Sequence, residues 1–518
     1  MKTRKMKSLP LALTTILLGS MMFAGCSKTE VNPSTATPAA AEDKETAAPS
    51  AVAKKLDPVT LKWYLPQGTF SDAKAVFAEM NKITKEKINA EINIEFVDWG
   101  NYDQKMQAVL ASGENVDLMF TSNWTNDYVS AVNKGAYLDI TDQLKKYGPN
   151  ILKQVPEKAW EAPKINGKLY GIINTQVLAR TPGMLINKTY ADKYGFDPSK
   201  AKKLEDLTPF LEKVAAGEKD KYAFRVKGND DQLGYIGSAL GIEYFADTNP
   251  GVLLINDNET KVVNLFETKE YVNFLKLMRE WYQKGIIRKD APTITDLDAD
   301  EKAGKYITRT AVMNPDVPAN QADRYGNGKP ENVLTVQFAP PYMSTGSIIG
   351  TLTAIPRTSK NPERAMMFYD LMYSDAKLFN LMNYGIEGKH YKKTGEDLIE
   401  TIPNSGYNVA SGWEYGNMFN SYRTSPLQPK WFPAGPDMNK SAISSKVLGF
   451  SFDPSKVKSE LAQCASAISE FKAGLITGSL DPDTTLPKLN EKLKKAGMDK
   501  LLAEMQTQID AWKAANKK

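Results

Sequence analysis

The first third of the chain alternates between short runs typical of strands and longer stretches with helical periodicity. The strand runs are rich in β-branched and aromatic residues, whereas the helical stretches place apolar residues three and four positions apart, as at Val76, Met80 and Ile83. The predicted order is strand 59–65, a helix with Ser71 as its N-cap, strand 91–97, helix 102–111 and strand 116–121. Strands alternating with helices predict βαβ units and a parallel sheet, with ligands near the carboxyl ends of the strands.

The rest of the chain continues this α/β pattern. An Asn166-Gly167 turn predicts a hairpin within residues 165–170. The further expected elements are an extended run at 176–187, a helix around 271–282, a strand-like segment at 347–355 and a helix at 365–372. Near the C-terminus, apolar residues spaced by three and four positions include Cys464, so we expect an inert core thiol there and not a nucleophile.

Composition and charge limit the classes of function. The chain has 518 residues, of which 42% are hydrophobic and 25% charged, and this predicts more than one core. Lys plus Arg number 66 and Asp plus Glu 61, but four basic residues precede residue 26, and without them the balance is 62 to 61. Such near-neutrality disfavours nucleic acid as a partner. One histidine and two cysteines also disfavour a resident zinc or iron–sulfur site, so we expect neither metal nor cofactor.

The N-terminal segment has the pattern of a secretion signal. Four positive charges lie within residues 1–8, an uncharged and mostly apolar run follows, and the small residues Ala24 and Gly25 precede Cys26. The stretch resembles a bacterial lipobox, which implies a signal peptide at 1–25 and lipidation of Cys26. An uncleaved membrane anchor is the alternative. Residues 26–56, poor in large apolar side chains, are expected to form a flexible tether between a membrane and the globular body.

Several segments together resemble extracellular solute-binding proteins of family 1, the capture subunits of ABC importers. They are residues 112–121 (SGENVDLMFT), 166–172 (NGKLYGI) and 355–366 (IPRTSKNPERAM), in the order typical of that family. Residues 384–391 (YGIEGKHY) and 448–453 (LGFSFD) further resemble the LipO-like lipoprotein subgroup.

The resemblance implies an α/β, two-lobed periplasmic-binding-protein-like fold with hinge strands and a central ligand cleft. It places the N-terminal lobe at 57–177 plus 345–395 and the C-terminal lobe at 178–344 plus 396–518, with crossings near 174–180 and 342–346. Hinge closure around the ligand is then the signal that a permease reads. The expected protein is an extracytoplasmic, lipid-anchored monomer whose partners are ABC permease subunits and a small-molecule solute.

Aromatic residues beside predicted loop ends favour a carbohydrate, and among carbohydrates an oligosaccharide, as the solute. Sugar rings have apolar C–H faces edged by hydroxyl groups, so an aromatic platform with polar neighbours suits them. Trp124 is the strongest candidate, because it follows a predicted strand within a polar loop and because the resemblance places that loop in the cleft. The candidate ligand-binding residues are Gln67, Asn123, Trp124, Tyr170, Gln176, Asn314, Tyr384, Glu387 and Trp413.

Catalysis has little support in the sequence. The only histidine is His390, no Gly-x-Ser-x-Gly elbow is present, and the chain lacks a P-loop for ATP. A pair of carboxylates for glycoside hydrolysis cannot be singled out from 61 acidic residues. We therefore expect a binding protein and not an enzyme, with an extracytoplasmic carbohydrate-active enzyme and a binding protein for a peptide or other non-sugar solute as the alternatives. The acidic run Asp296, Asp298 and Asp300 lacks the Gly and distal Glu of an EF-hand, which leaves calcium undecided.

Overall fold

The computed structural model describes residues 56–516 except 246–248, 426–427 and 429, and it does not describe the side chains of 431–433. The predicted signal peptide, Cys26 and nearly all of the predicted tether therefore lie outside the described residues. Within the described part of the chain, no helix combines the length and the apolar character that crossing a membrane requires. The described residues fold around two main cores, one in each of two α/β lobes.

The first lobe is organised by a five-stranded sheet. Its strands, in spatial order, are Ala90–Val97, Val59–Pro66, Leu118–Thr121, Leu352–Ala354 and Gly171–Ile173. The first three are parallel, and Leu352–Ala354 runs antiparallel to both of its neighbours. The main helices of this lobe are Ala73–Ile88, Trp99–Ser112, Tyr128–Asn133, Thr141–Tyr147, Pro149–Gln154, Pro362–Ser374 and Ala376–Tyr384.

Most predicted elements of this lobe are present, and two details differ. The first helix begins at Ala73 with Asp72 in the N-cap position, so Ser71 is not its cap. The expected strand at 347–355 is shorter, because Thr345–Ile348 is helical and only Leu352–Ala354 is a strand. The Ser344 and Ser347 hydroxyls each accept a hydrogen bond from the other residue's backbone N–H, and this capping box stabilises the short helix. The predicted turn forms as expected, with positive φ at both Asn166 and Gly167.

The second lobe contains a four-stranded mixed sheet and a smaller antiparallel one. The four strands, in spatial order, are Val333–Gln337, Pro182–Asn187, Tyr306–Val312 and Tyr222–Phe224, and the three of the smaller sheet are Val263–Asn264, Gly251–Leu254 and Ile242–Tyr244. Its main helices before residue 330 are Lys188–Lys193, Thr208–Gly217, Gln232–Ile236, Lys269–Gln283 and Asp298–Lys302. The predicted amphipathic helix at 271–282 thus lies within Lys269–Gln283 and buries Phe274, Met278 and Trp281 in the second core.

Three long helices lie in the C-terminal region and pack on the second core. They are Lys458–Ile476, Pro482–Lys495 and Met498–Asn516. Cys464 lies on the buried face of the first of them, and burial raises the pKa of its thiol to about 11. A thiol with so high a pKa carries little thiolate at neutral pH, which agrees with the expected inert core role.

The chain passes between the lobes at three places that lie side by side. Arg180 and Tyr342 exchange backbone hydrogen bonds of 2.8 and 2.9 Å, and Tyr342–Met343 pairs in parallel with Ile443–Ser444. The carboxylate of Glu243 accepts hydrogen bonds from the Tyr342 hydroxyl at 2.6 Å and the Ser445 hydroxyl at 2.7 Å, and burial raises its pKa. Glu243 therefore ties a strand of the second lobe to two of the crossings.

The third crossing, at residues 441–445, was not expected. The sequence analysis assigned 396–518 to the C-terminal lobe, but Tyr407, Val409 and Tyr415 belong to the first core. Tyr415 packs edge-on against Trp63 of the first sheet, with ring centroids 5.9 Å apart. Apolar burial thus holds the segment before the third crossing to the first lobe, and only the part from Val447 onward contributes to the second core.

The motif around the single histidine has a structural role. His390 is buried, its Nδ1 accepts a hydrogen bond from the Ile386 N–H at 2.8 Å, and its Nε2 lies 3.1 Å from the Asp72 carboxylate. Because Nδ1 is an acceptor, Nε2 carries the proton and donates to Asp72. Lys389 also pairs with Asp72 and lowers the pKa of that carboxyl group. His390 and Lys389 thus connect the turn after helix Ala376–Tyr384 to the start of helix Ala73–Ile88 through contacts with Asp72.

Two of the three aspartates in the acidic run of the second lobe pair with nearby cations. Asp300 accepts hydrogen bonds from Arg288 at 2.7 Å and Lys305 at 2.8 Å, and Asp298 pairs with Lys302 and Arg324. In the part of the chain that the structure describes, no group of three or more His, Cys, Asp or Glu residues is arranged to hold a metal ion.

We predict that Gly183→Ala strongly destabilises the second lobe. Gly183 lies in a strand paired on both sides, and a Cβ atom there would come within 2.3 Å of the Val336 carbonyl oxygen. Relieving that overlap requires the strands to separate, which we expect to cost about 2–3 kcal/mol of unfolding free energy. Denaturant unfolding tests this, with Gly68→Ala as the control, because a Cβ at Gly68 meets no atom within 4 Å. Equal stability of the two variants would contradict the prediction.

Candidate ligand-binding site

Three tryptophan side chains form a cluster at the carboxyl edge of the first sheet. Trp99 follows strand Ala90–Val97, and Trp124 follows strand Leu118–Thr121. The Trp99 ring is stacked against both of the others, with its centroid 5.6 Å from that of Trp124 and 5.9 Å from that of Trp413, at interplanar angles of 22° and 18°. The centroids of Trp124 and Trp413 are 6.4 Å apart, so the three rings form a compact triangle. Parallel strands bring their carboxyl ends to one edge, so two of these residues meet there because of the sheet topology.

The cluster rests on a buried aromatic residue and leaves apolar surface exposed. The ring of Phe120, in the third strand, lies with its centroid 6.0–6.3 Å from all three tryptophan rings. Trp124 is 54% exposed and Trp99 38%, whereas Trp413 is partly buried. Exposed tryptophan rings on a rigid support are a feature of binding surfaces, because they offer a large apolar area at a low entropic cost.

Hydrogen bonds fix the orientation of Trp124. Its indole Nε1–H donates to the carbonyl oxygen of Gly350 at 2.8 Å, and its backbone N–H donates to the hydroxyl of Ser122 at 3.2 Å. The neighbouring Asn123 donates from Nδ2 to the carbonyl oxygen of Gly346 at 3.1 Å. The loop after the third strand is therefore attached to residues 346–350, which follow the second crossing.

A buried carboxyl group belongs to Glu414, which directly follows Trp413 in the chain. Glu414 is fully buried, its Oε1 accepts a hydrogen bond from the Gln67 side chain at 2.6 Å, and its backbone carbonyl accepts one from the Asn174 side chain at 2.5 Å. Its Oε2 has no hydrogen-bond partner among the described residues. Burial raises the pKa of Glu414 to about 8, against the opposing effects of Ser411 and of the hydrogen bond from Gln67. The side chain is therefore mostly protonated at neutral pH.

The space between the lobes begins beside the tryptophan cluster. Asn123 lines two adjoining cavities, one of about 80 Å³ and one of about 730 Å³. Tyr235 and Glu243 line the smaller cavity from the second lobe. A ligand that extends from Trp124 past Asn123 can therefore touch both lobes, as a ligand must if it is to favour their closure.

The structure brings several of the predicted site residues to this region. Trp124 and Trp413 lie in the cluster, and Asn123 directly precedes Trp124. Gln67 is connected to the cluster indirectly, since it donates a hydrogen bond to Glu414, the residue after Trp413. Gln176 donates to the Thr351 hydroxyl at 2.8 Å and shares a small cavity of about 40 Å³ with Asn314 at the first crossing.

The other three predicted residues make their contacts elsewhere. Tyr170 packs against the first core. Tyr384 is buried, with its hydroxyl 3.2 Å from that of Ser421, and the exposed Glu387 pairs with Lys393. The sequence analysis left out two residues of the region, Trp99 and Glu414. Trp99 follows a predicted strand just as Trp124 does, whereas nothing in the sequence distinguishes Glu414.

Comparison with known proteins agrees with this architecture. A family model described as "Bacterial extracellular solute-binding protein" matches residues 67–378, and a domain of unknown function, DUF3502, matches residues 446–514. This chain belongs to the bacterial extracellular solute-binding protein family. The family and the two-lobed fold expected from the sequence are thus confirmed.

Two relatives resemble the chain over most of its length. A "Carbohydrate ABC transporter substrate-binding protein" of Streptococcus pneumoniae is 30% identical over 448 residues, covering 84% of this chain and 87% of that protein. "Lipoprotein LipO" of Bacillus subtilis is 26% identical over 414 residues, covering 75% and 74%.

A solved structure of the N-glycan transport solute binding protein NgtS of S. pneumoniae superposes with a TM-score of 0.79 at 28% identity, over 89% of this chain and all of that one. Its complex with Man1GlcNAc superposes with a TM-score of 0.71 at 27% identity, over 88% and 99%. The S. pneumoniae relative and NgtS are thus both named as substrate- or solute-binding proteins of transport systems.

Proposed function

We propose that this solute-binding protein captures an oligosaccharide outside the cytoplasm and delivers it, chemically unchanged, to the permease of an ABC importer. The observation that carries the proposal is the exposed tryptophan cluster on Phe120, beside cavities that both lobes line. Aromatic faces complement the C–H faces of sugars, and the surrounding amide and hydroxyl groups can bond to sugar hydroxyls. The carbohydrate-binding and N-glycan-binding relatives support the same class of ligand.

Capture would proceed by hinge closure about the three adjacent crossings. Short backbone pairings at Arg180, Tyr342 and Ile443 connect the lobes and can change direction without disturbing either core. The ligand favours closure only to the extent that it binds the closed form better. The functional lobes would then be close to the expected ones, with residues 396–440 moving with the N-terminal lobe because their apolar side chains pack on the first core.

The proposed place of action is the outer face of the cell membrane. Removal of residues 1–25 and lipidation of Cys26 would anchor the protein, and residues 26–56 would connect the anchor to the first lobe. LipO, a named lipoprotein, supports this arrangement. The protein would act as a monomer that presents its closed form to the permease subunits.

Ligand screening of the mature chain, from residue 26 with Cys26→Ser, tests the proposal. We expect an oligosaccharide to raise the free energy of unfolding by about 2.7 kcal/mol when its concentration is a hundredfold above its Kd. Monosaccharides and short peptides at the same concentration should raise it less. Chromatography of the sugar afterwards should recover it intact. Newly released reducing ends would favour the carbohydrate-active enzyme instead, and stabilisation by peptides alone would favour a non-sugar ligand.

A further inference from the structure

The larger interlobe cavity has one wall that the tryptophan site does not use. Its volume is about 730 Å³, which is in the range of cavities that hold ligands larger than a single sugar ring. The first lobe contributes Asn123, Asn133 and Lys134, and the opposite wall combines residues 243–245 with residues 450–455 and Lys458. Residues 450–458 belong to the C-terminal segment 446–514, which matches the domain of unknown function.

The wall is held rigidly by the last helix. The Asp453 backbone N–H donates to Gln508 Oε1 at 2.9 Å, and Gln508 Nε2 donates back to the Asp453 carbonyl at 2.8 Å. Phe450 packs edge-on against Phe245 of the second lobe and against Trp512 of the last helix, with ring centroids 5.7 and 6.2 Å away. A loop fixed from two sides keeps its cavity-facing groups in place, which lowers the entropic cost of binding.

The groups on the two walls suit a sugar chain. Hydrogen-bond donors and acceptors of both kinds are present, with Asn133 and Lys134 on one side and Asp453 and Lys458 on the other. Asn123, which directly precedes Trp124, lines the cavity, so a glycan with one ring on Trp124 can extend past Asn123 into it.

We propose that this cavity is an extended subsite for the units of an oligosaccharide that project beyond the tryptophan cluster, and that segment 446–514 forms its length-selective wall. The inference rests on the proposed function. It assigns to the C-terminal segment the discrimination of long glycans from short ones, whereas the tryptophan cluster holds the unit that both have in common.

Isothermal titration with Man1GlcNAc and Man5GlcNAc tests the inference, using the mature chain with Cys26→Ser. We expect the longer glycan to bind at least about tenfold more tightly, since each added contact surface contributes to affinity. Asn133→Trp and Ser455→Trp fill the cavity from opposite walls, at exposed positions. Each should bring the affinity for Man5GlcNAc to within about twofold of that for Man1GlcNAc and leave the latter unchanged. Lys145→Trp, at an exposed position that does not line the cavity, is the control and should behave like the unmodified chain.

The outcomes separate this inference from the proposed function. Equal affinities for both glycans, or cavity-filling variants that keep the preference for the longer one, would overturn the subsite while leaving capture intact. Binding of neither glycan would overturn the inference as stated, and the ligand screen would then decide the proposed function by itself. Weakened binding of both glycans by Ser455→Trp would show that the C-terminal wall is not selective for length.

Discussion

Trp124→Ala is expected to weaken oligosaccharide binding by about thirtyfold, which corresponds to about 2 kcal/mol. Trp124 is the most exposed ring of the cluster, so its face is available for stacking on a sugar. Its indole N–H is bonded to Gly350, which holds the ring in one orientation before the ligand arrives. Preorganised aromatic side chains contribute strongly to binding because little side-chain entropy is lost on complex formation. Titration with the sugar identified in the screen measures the effect.

Two controls make this result specific. Trp124→Phe keeps an aromatic face but loses the bond to Gly350, and we expect it to retain most of the affinity lost in Trp124→Ala. Leu152→Ala removes an exposed apolar side chain of helix Pro149–Gln154, away from the cluster, and should leave affinity unchanged. If Trp124→Ala bound the sugar as tightly as the unmodified chain, the tryptophan cluster would not be the ligand platform, whatever else the protein binds.

The sequence predicted those features of the site that depend on local pattern. The strands at 59–65 and 116–121 follow from β-branched and aromatic runs, and the position of Trp124 follows from the end of one such strand. Trp99 could have been found by the same argument, since it comes directly after the strand Ala90–Val97 and Asp98. Residues at the ends of parallel strands are accessible to sequence reasoning because the topology of the sheet determines where they meet.

The remaining features depend on contacts between distant parts of the chain. Gln67 and Glu414 are separated by 347 residues and meet only because the segment before the third crossing returns to the first core. Trp413 was selected on composition alone, and no local pattern connects it to Trp99. The same return of the chain accounts for the unexpected third crossing, which depends on apolar burial of Tyr407 and Tyr415 and not on any signal near residue 396.

Glu414→Gln is expected to stabilise the protein at alkaline pH. The folded-state pKa of Glu414 is about 8 because of burial, and the ordinary value that applies to the unfolded chain is 4.5. Between those pH values the folded chain keeps a proton that the unfolded chain releases, so the free energy of unfolding falls as pH rises, by about 1.4 kcal/mol per pH unit. Glutamine keeps a carbonyl acceptor for Gln67 but cannot ionise. Between pH 5 and pH 8, the free energy of unfolding of the variant should therefore increase by up to about 4 kcal/mol relative to that of the unmodified chain.

Denaturant unfolding at several pH values measures this difference, with Glu400→Gln as the control at an exposed position. Asp316, whose pKa burial raises to about 7, contributes a pH dependence of the same sign to every variant and therefore cancels in the comparison. Parallel pH profiles for Glu414→Gln and Glu400→Gln would contradict the prediction and mean that Glu414 is ionised in the folded protein.

Because Glu414 directly follows Trp413, the same proton should also affect the tryptophan cluster. We expect sugar affinity to fall above pH 8 in the unmodified chain and to stay level in Glu414→Gln, since a buried negative charge on the residue next to Trp413 would draw water and donor groups toward it.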